Sequence, residues 1–274
     1  MTAKDQDATA RHDVDADSGA TGLAVPGGLP TTAGLRRVMV PPGRAFDLLI
    51  VPTEGEPADS GDWIERARLW TAAPGLLPKQ PAAHTAVPVL IPLYGCHVIW
   101  APARGAVLGP TGRLDQLQVS LLEFAGCEAD LADLELRCNR LLAATEGDAA
   151  AAFEFDERGP DRRAELASRF QEAVAVRRGL AALGPAVHVP PVHPPTLASQ
   201  LAERLRDRTR LPERHELVTD RADFVLQIYE ACGQRASEAA IARRQMGLEW
   251  AIIVILVAQL ALMIVELLAS RNST

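Results

Sequence analysis

Lysine is nearly missing from this chain: Lys4 and Lys79 are the only two among 28 basic residues. Arginine supplies the rest, yet the formal net charge is -7, so there is no basic excess of the kind a dedicated nucleic-acid binder spreads along one face. Nucleic acid is therefore not expected as a partner. Aromatic residues make up 4% of the chain, so its core must be largely aliphatic. The four cysteines (Cys96, Cys127, Cys138, Cys232) include no Cys-x-x-Cys pair, which excludes a zinc-knuckle spacing and suits reduced thiols. Met1 to Ala20 contain no apolar run and carry five Asp against one Lys and one Arg. A secretory signal needs a positive start and an apolar stretch, and a transit peptide is Arg-rich and poor in acids; neither pattern is present.

Catalytic signatures are missing too. There is no Gly-x-Ser-x-Gly, His-Glu-x-x-His, His-x-Glu or phosphate-loop Gly-Lys-Ser/Thr pattern. No catalytic residue, cofactor or metal is expected, and the chain is read as a non-enzyme. Three weaker arrangements remain. Cys96 and His97 adjoin on a predicted strand, which points their side chains to opposite faces and argues against a shared metal. His188 and His193 flank Val-Pro-Pro-Val, where a turn could pair two imidazoles but polyproline structure would hold them apart. Arg104 to Gly112 is glycine-containing and precedes a helix, so it could offer amides to a phosphate; the turn-and-cap reading is simpler because Pro110 removes one donor.

What the chain does have is one long apolar run. Trp250 to Ala269 is 20 residues interrupted only by Gln259 and Glu266. At 1.5 Å per residue it reaches roughly 30 Å, the thickness of a bilayer's hydrocarbon core. Soluble helices seldom stay apolar on all sides for five turns. Trp250 falls at the near boundary, where an indole is favoured. Arg235, Arg243 and Arg244 precede the span and Arg271 follows it, so the positive-inside rule puts the large N-terminal part in the cytoplasm. With Ser270 to Thr274 beyond the helix, a tail-anchored, single-pass membrane protein is expected. Glu266 lies near the far end and can snorkel; Gln259 sits near mid-membrane, where an amide seeks a partner helix. The two are seven positions apart and share a face.

The rest of the chain divides by composition. Residues 1–33 are rich in Asp, Ala and Gly and are expected to be disordered. Residues 34–195 read as an α+β domain. Its strands are expected over Arg37–Val40, Phe46–Val51 and the Val87–Val107 region, with Pro88 and Pro92 marking a sheet edge. Helices are predicted over Gly61–Ala72, Thr111–Phe124 with Thr111 as its cap, Glu128–Thr145 and Pro160–Leu183; the prolines of Gly184–Pro195 predict a loop. Residues 196–249 read as a charged helical hairpin leading into the transmembrane helix, 250–269, and a short tail, 270–274. In the hairpin Val218, Val225, Cys232, Ala239 and Met246 recur every seven residues, with Ala222, Tyr229, Ala236 and Trp250 at a second constant offset. This is a heptad-like, coiled-coil seam. Spacing alone leaves open whether it packs on Leu197–Leu205 of the same chain or on another protomer.

Arg243-Arg-Gln-Met-Gly-Leu-Glu-Trp-Ala-Ile-Ile-Val-Ile-Leu resembles the C-terminal signature of the YagE-like, required-for-meiotic-nuclear-division family. The helix Leu211–Arg244 is similar to that family's charged helices before the span. Leu93-Tyr-Gly-Cys-His-Val-Ile-Trp resembles its Tyr-Gly strand, with Leu93 where the family prefers an aromatic. Leu166-Ala-Ser stops one residue short of a mid-domain family pattern. The resemblance implies an inner-membrane oligomer, linked in eukaryotes to mitochondrial translation or intracellular membranes, with no established reaction.

The function expected is an oligomeric interaction or scaffold module bound to membrane lipid. Its contact residues would be Val218, Val225, Tyr229, Cys232, Ala236, Ala239, Met246, Leu248, Glu249, Trp250, Gln259 and Glu266, with a second copy or an unidentified protein as partner. The alternative is a membrane-attached enzyme or a nucleotide- or RNA-associated module using the N-terminal domain.

Overall fold

The computed structural model describes residues 25–41, 43–53, 60–73, 87–149, 160–188 and 196–272. The elements in order are β1 (Gly34–Val40), β2 (Arg44–Pro52), α1 (Ser60–Ala72), β3 (Val89–Leu93), β4 (Cys96–Ala101), β5 (Arg104–Gly109), α2 (Thr111–Asp148), α3 (Pro160–His188), α4 (Leu197–Thr209) and α5 (Leu211–Asn272). The strands form one mixed sheet in the order β1-β2-β5-β4-β3 with helices packed on it, the α+β class expected. All strand pairs are antiparallel except β2 with β5, which run parallel with Leu49 opposite Ala106.

Strand alternation separates two apolar faces. Phe46, Leu48, Ile91, Leu93, Val98, Trp100 and Val107 meet Leu114, Leu117, Leu121 and Phe124 of α2. Leu49, Val51, Ile99, Ala106 and Leu108 meet Ala67, Trp63, Ile64 and Trp70 of α1. The edge-to-face pair of Trp100 and Phe124, with ring centroids 5.2 Å apart, joins sheet to α2. Pro92 lies on β3, an edge strand, as its missing N–H requires. Tyr94 and Gly95 take the two positive-φ positions of a two-residue hairpin, at 44° and 79°, which resolves Gly95 as a turn.

Four local expectations change. Arg104–Gly109 is the central strand β5, buried along its whole length, so the strand region expected to end at Val107 runs on to Gly109 and displaces the turn-and-cap reading. Its glycines admit neighbours: a Cβ on Gly105 would lie 2.9 Å from both Leu121 and Phe46, and one on Gly109 would lie 2.7 Å from Cys96 Sγ. Thr111 is the first helical residue of α2, following Pro110 at the cap position. The two helices expected over 111–145 are one 38-residue helix that runs through Gly126. The helix α3 continues through Pro185 to His188, where a loop was expected from Gly184.

At the N-terminus, Leu29 and Ala33 pack on the α1 side of the sheet, and Gly27 O accepts from Arg66 Nη1 at 2.9 Å. The expected disorder therefore fails for residues 25–33, while residues 1–24 lie outside the described residues, as do the proline-rich stretch 74–86, His193 and residues 273–274.

The chain boundary expected at 195/196 is not a packing boundary. One continuous core contains Val40 and Phe46 of the sheet, Leu131 and Leu141 of α2, Val176 and Leu180 of α3, Leu201 and Leu205 of α4, and Val218 to Tyr229 of α5. Arg210, in the left-handed region at φ 51°, is the single residue between α4 and α5.

Gly109→Ala places a methyl against Cys96 Sγ and is expected to destabilise the protein by about 1–3 kcal/mol through overpacking. Cys96→Ala, removing the nearest atom, should return part of that loss. Denaturant unfolding of the two single variants and the double variant in detergent micelles measures the coupling; strict additivity would contradict this contact.

Candidate membrane-anchoring helix

The helix α5 has 62 residues, about 93 Å at 1.5 Å per residue, and its environment changes partway along. In its first part Val218, Ala222, Val225, Tyr229, Cys232 and Ala236 are all buried. Their partners belong to the same chain. Arg177 on α3 meets Asp223, and Tyr229 reaches Asp148 on α2. Contacts rise in step along α2 and α5 (Glu128 with Arg214, Asn139 with Arg221, Asp148 with Tyr229), so these helices run the same way. Along α3 they fall (His188 with His215, Arg177 with Asp223), so α3 runs against α5.

The spacing left the owner of the seam open; from Val218 to Ala236 it packs within the chain, on α2 and α3. The physical reason is length: the uninterrupted α2 and the extended α3 supply two long apolar faces where the sequence suggested short helices.

Three polar clusters tie the bundle together. Arg214 donates from Nε and Nη2 to the two oxygens of Glu135 at 2.9 and 2.8 Å, and from Nη1 to Glu128 at 2.8 Å. Burial pushes the Glu128 carboxyl upward from its ordinary range, opposed by Arg214, whose own guanidinium is held further into the charged form by the two carboxylates. Arg177 donates to Asp223 at 2.6 Å. Nearest the exit of α5, buried Asp148 accepts from Tyr229 Oη at 3.1 Å and from Arg169 Nη1. Burial, reinforced by that bond to Asp148, raises the Tyr229 hydroxyl to about 12. Glu128, Asp148, Arg169 and Arg214 carry no signal in the sequence. The pairs between helices lie 21 to 86 positions apart, and no local spacing could reveal them.

Beyond Ala236 the support ends. Every residue from Ser237 to Ile264 whose side chain is described is exposed, including Met246, Leu248, Glu249, Trp250 and Gln259. Ala239 and Glu266 lie on the same helix, with side chains outside the described set. The α5 helix is long and apolar enough to cross a membrane, and none of its apolar window is buried within the protein. A core helix of a soluble domain would pass the same length test but would be covered.

The other candidate chemistry is filled in or dispersed. Arg104 Nη1 donates to the Trp70 and Ala73 carbonyls at 3.0 and 3.3 Å, closing the end of α1, and its guanidinium lies 5.0 Å from the Trp70 ring centre. Asp47, on the neighbouring strand, is engaged by Arg37 at 2.7 Å. With its amides in the sheet and its arginine committed to α1, Arg104–Gly109 makes no phosphate cradle. Cys96 is buried on the α2 face and His97 lies between exposed and buried on the alternate position of β4. No family model matches this chain, and no curated protein matches it.

Tyr229→Phe should cost about 1–2 kcal/mol, since a buried carboxylate loses one of its donors. The Tyr229 contribution is fully present below the ordinary tyrosine value of 10.0 and is lost as pH rises through about 12 in the folded state. Unfolding of both proteins in micelles across that interval should therefore show wild type losing its advantage over Tyr229→Phe; a constant difference would contradict the buried neutral hydroxyl.

Proposed function

We propose that this chain is a single-pass, membrane-anchored interaction module that holds a cytoplasmic α+β domain at a set distance from the bilayer. The observation carrying this reading is the continuity of α5, which begins in the core and ends in an uncovered apolar run. From Ala236 to Trp250 the helix rises about 21 Å, and that separation is the stand-off between bundle and bilayer. The excess of arginine before the span over that after it supports a cytoplasmic domain. The resemblance of Arg243–Leu256 to the YagE-like family supports the same membrane-bound arrangement and adds self-association.

Since the seam to Ala236 is occupied within the chain, we place self-association in the exposed length of α5. There Gln259 gains a hydrogen bond from a neighbouring helix that lipid tails cannot supply. The module acts by binding and positioning and not by catalysis. Met246, Leu248 and Trp250 mark the approach to the bilayer, with Trp250 at the interface.

Deleting Glu249–Thr274 should release the protein into the soluble fraction, whereas the full chain resists carbonate and high-salt extraction. A truncated protein that stays with the membrane would overturn the anchor. Protease added to inside-out vesicles should digest the bulk of the chain, and protection there would reverse the topology. Gln259→Leu should weaken crosslinking between copies in native membranes by an amount equivalent to roughly 1 kcal/mol. Unchanged crosslinking, or a wild type that gives monomer alone, would remove self-association while leaving the anchor standing.

A further inference from the structure

Two histidines outside the anchoring helix's exposed part meet at the opposite end of the bundle. His188 is exposed in the last turn of α3, and His215 is buried near the start of α5. Their rings cross at 77°, and His188 Nε2 lies 3.3 Å from His215 Nδ1. His215 Nε2 is 2.9 Å from the Leu180 carbonyl, which can only accept. That bond places the His215 hydrogen on Nε2 and leaves a lone pair on Nδ1, the backbone-carbonyl arrangement that orients metal-ligating imidazoles.

The separation of the two nitrogens matches a metal site. Two ligands at 2.0–2.1 Å from a tetrahedral Zn²⁺ are about 3.3–3.4 Å apart. We propose that His188 and His215 form a two-histidine site for a first-row transition-metal dication of the zinc class, clamping the end of α3 to the start of α5. His215 coordinates through Nδ1 and His188 through Nε2, while the His188 hydrogen moves from Nε2 to Nδ1, so both rings stay neutral. Among the described residues no cluster of three or more His, Cys, Asp or Glu is placed to hold a metal, and the site proposed here takes two protein ligands. Without metal, the same two nitrogens share one N–H···N hydrogen bond. The site does not depend on the anchor reading, because neither residue lies in the exposed part of α5.

The test uses the untagged full chain in detergent micelles near neutral pH, with Zn²⁺ titrated calorimetrically and Co²⁺ followed by its visible absorption. One equivalent should bind with a dissociation constant below about 100 µM, and His188→Gln should weaken it at least tenfold. Zn²⁺ should also raise the melting temperature of wild type and not that of His188→Gln. His188 is exposed, so this variant keeps the fold, and its titration decides the matter should His215→Gln fail to fold. Absence of one-equivalent binding in that range, or a loss smaller than tenfold in His188→Gln, would overturn the site and leave the pair as a hydrogen bond between helices.

Discussion

One helix in this protein has to satisfy two surroundings. The backbone of α5 closes its own hydrogen bonds along its whole length, so nothing in the main chain marks where one surrounding gives way to the other. The side chains mark it. Through Ala236 they interlock with α2 and α3, and beyond it those described are exposed. The rest of the structure follows from that division. The sheet is a platform for α2, the helices α2 and α3 form a long groove for α5, and α4 returns the chain so that α5 can enter from the far end. Arg204 Nη1 on the Pro92 carbonyl, at 2.6 Å, and Ser120 Oγ on the Ala198 carbonyl, at 2.9 Å, hold that return in place.

The polar clusters set the register of the three long helices. Aliphatic stripes of Leu, Val and Ala are tolerant of sliding by a turn, and buried or half-buried ion pairs are weak contributors to net stability once desolvation is counted. A shift of α5 by one turn would take Arg214 from Glu128 and Tyr229 from Asp148. Asp148 joins α2 to α3 and α5 together near the point where α5 leaves the bundle, and Arg214 holds the other end by bridging two carboxylates seven positions apart on α2. Between these two points α5 is held to both α2 and α3 by polar contacts.

Much of the secondary structure could be read locally. The β1-β2 hairpin, α1 and edge strand β3 carry β-branched or helical periodicity bounded by glycine and proline. The apolar run of α5 was legible from length and composition. Other segments were misread. Gly109 carried a turn-and-cap reading, yet it ends β5, where Cys96 occupies the space a side chain would need. The interval between Phe124 and Glu128 and the proline at 185 were read as helix ends, yet α2 and α3 run through them and pack along α5.

Sequence alone determined the class of the fold, the existence of a seven-residue apolar repeat and the presence of a helix able to cross a bilayer. These depend on periodicity, run length and charge placement, quantities that a linear chain carries without reference to contacts. Tertiary structure decided what the repeat packs against, where α5 leaves its support and which charges and histidines face one another. Those depend on α2 and α3 having one continuous length each and on pairs such as Glu128 with Arg214, 86 positions apart. A helix presents the same stripe to an intrachain groove as to a second copy, so its owner is settled only when the groove is built.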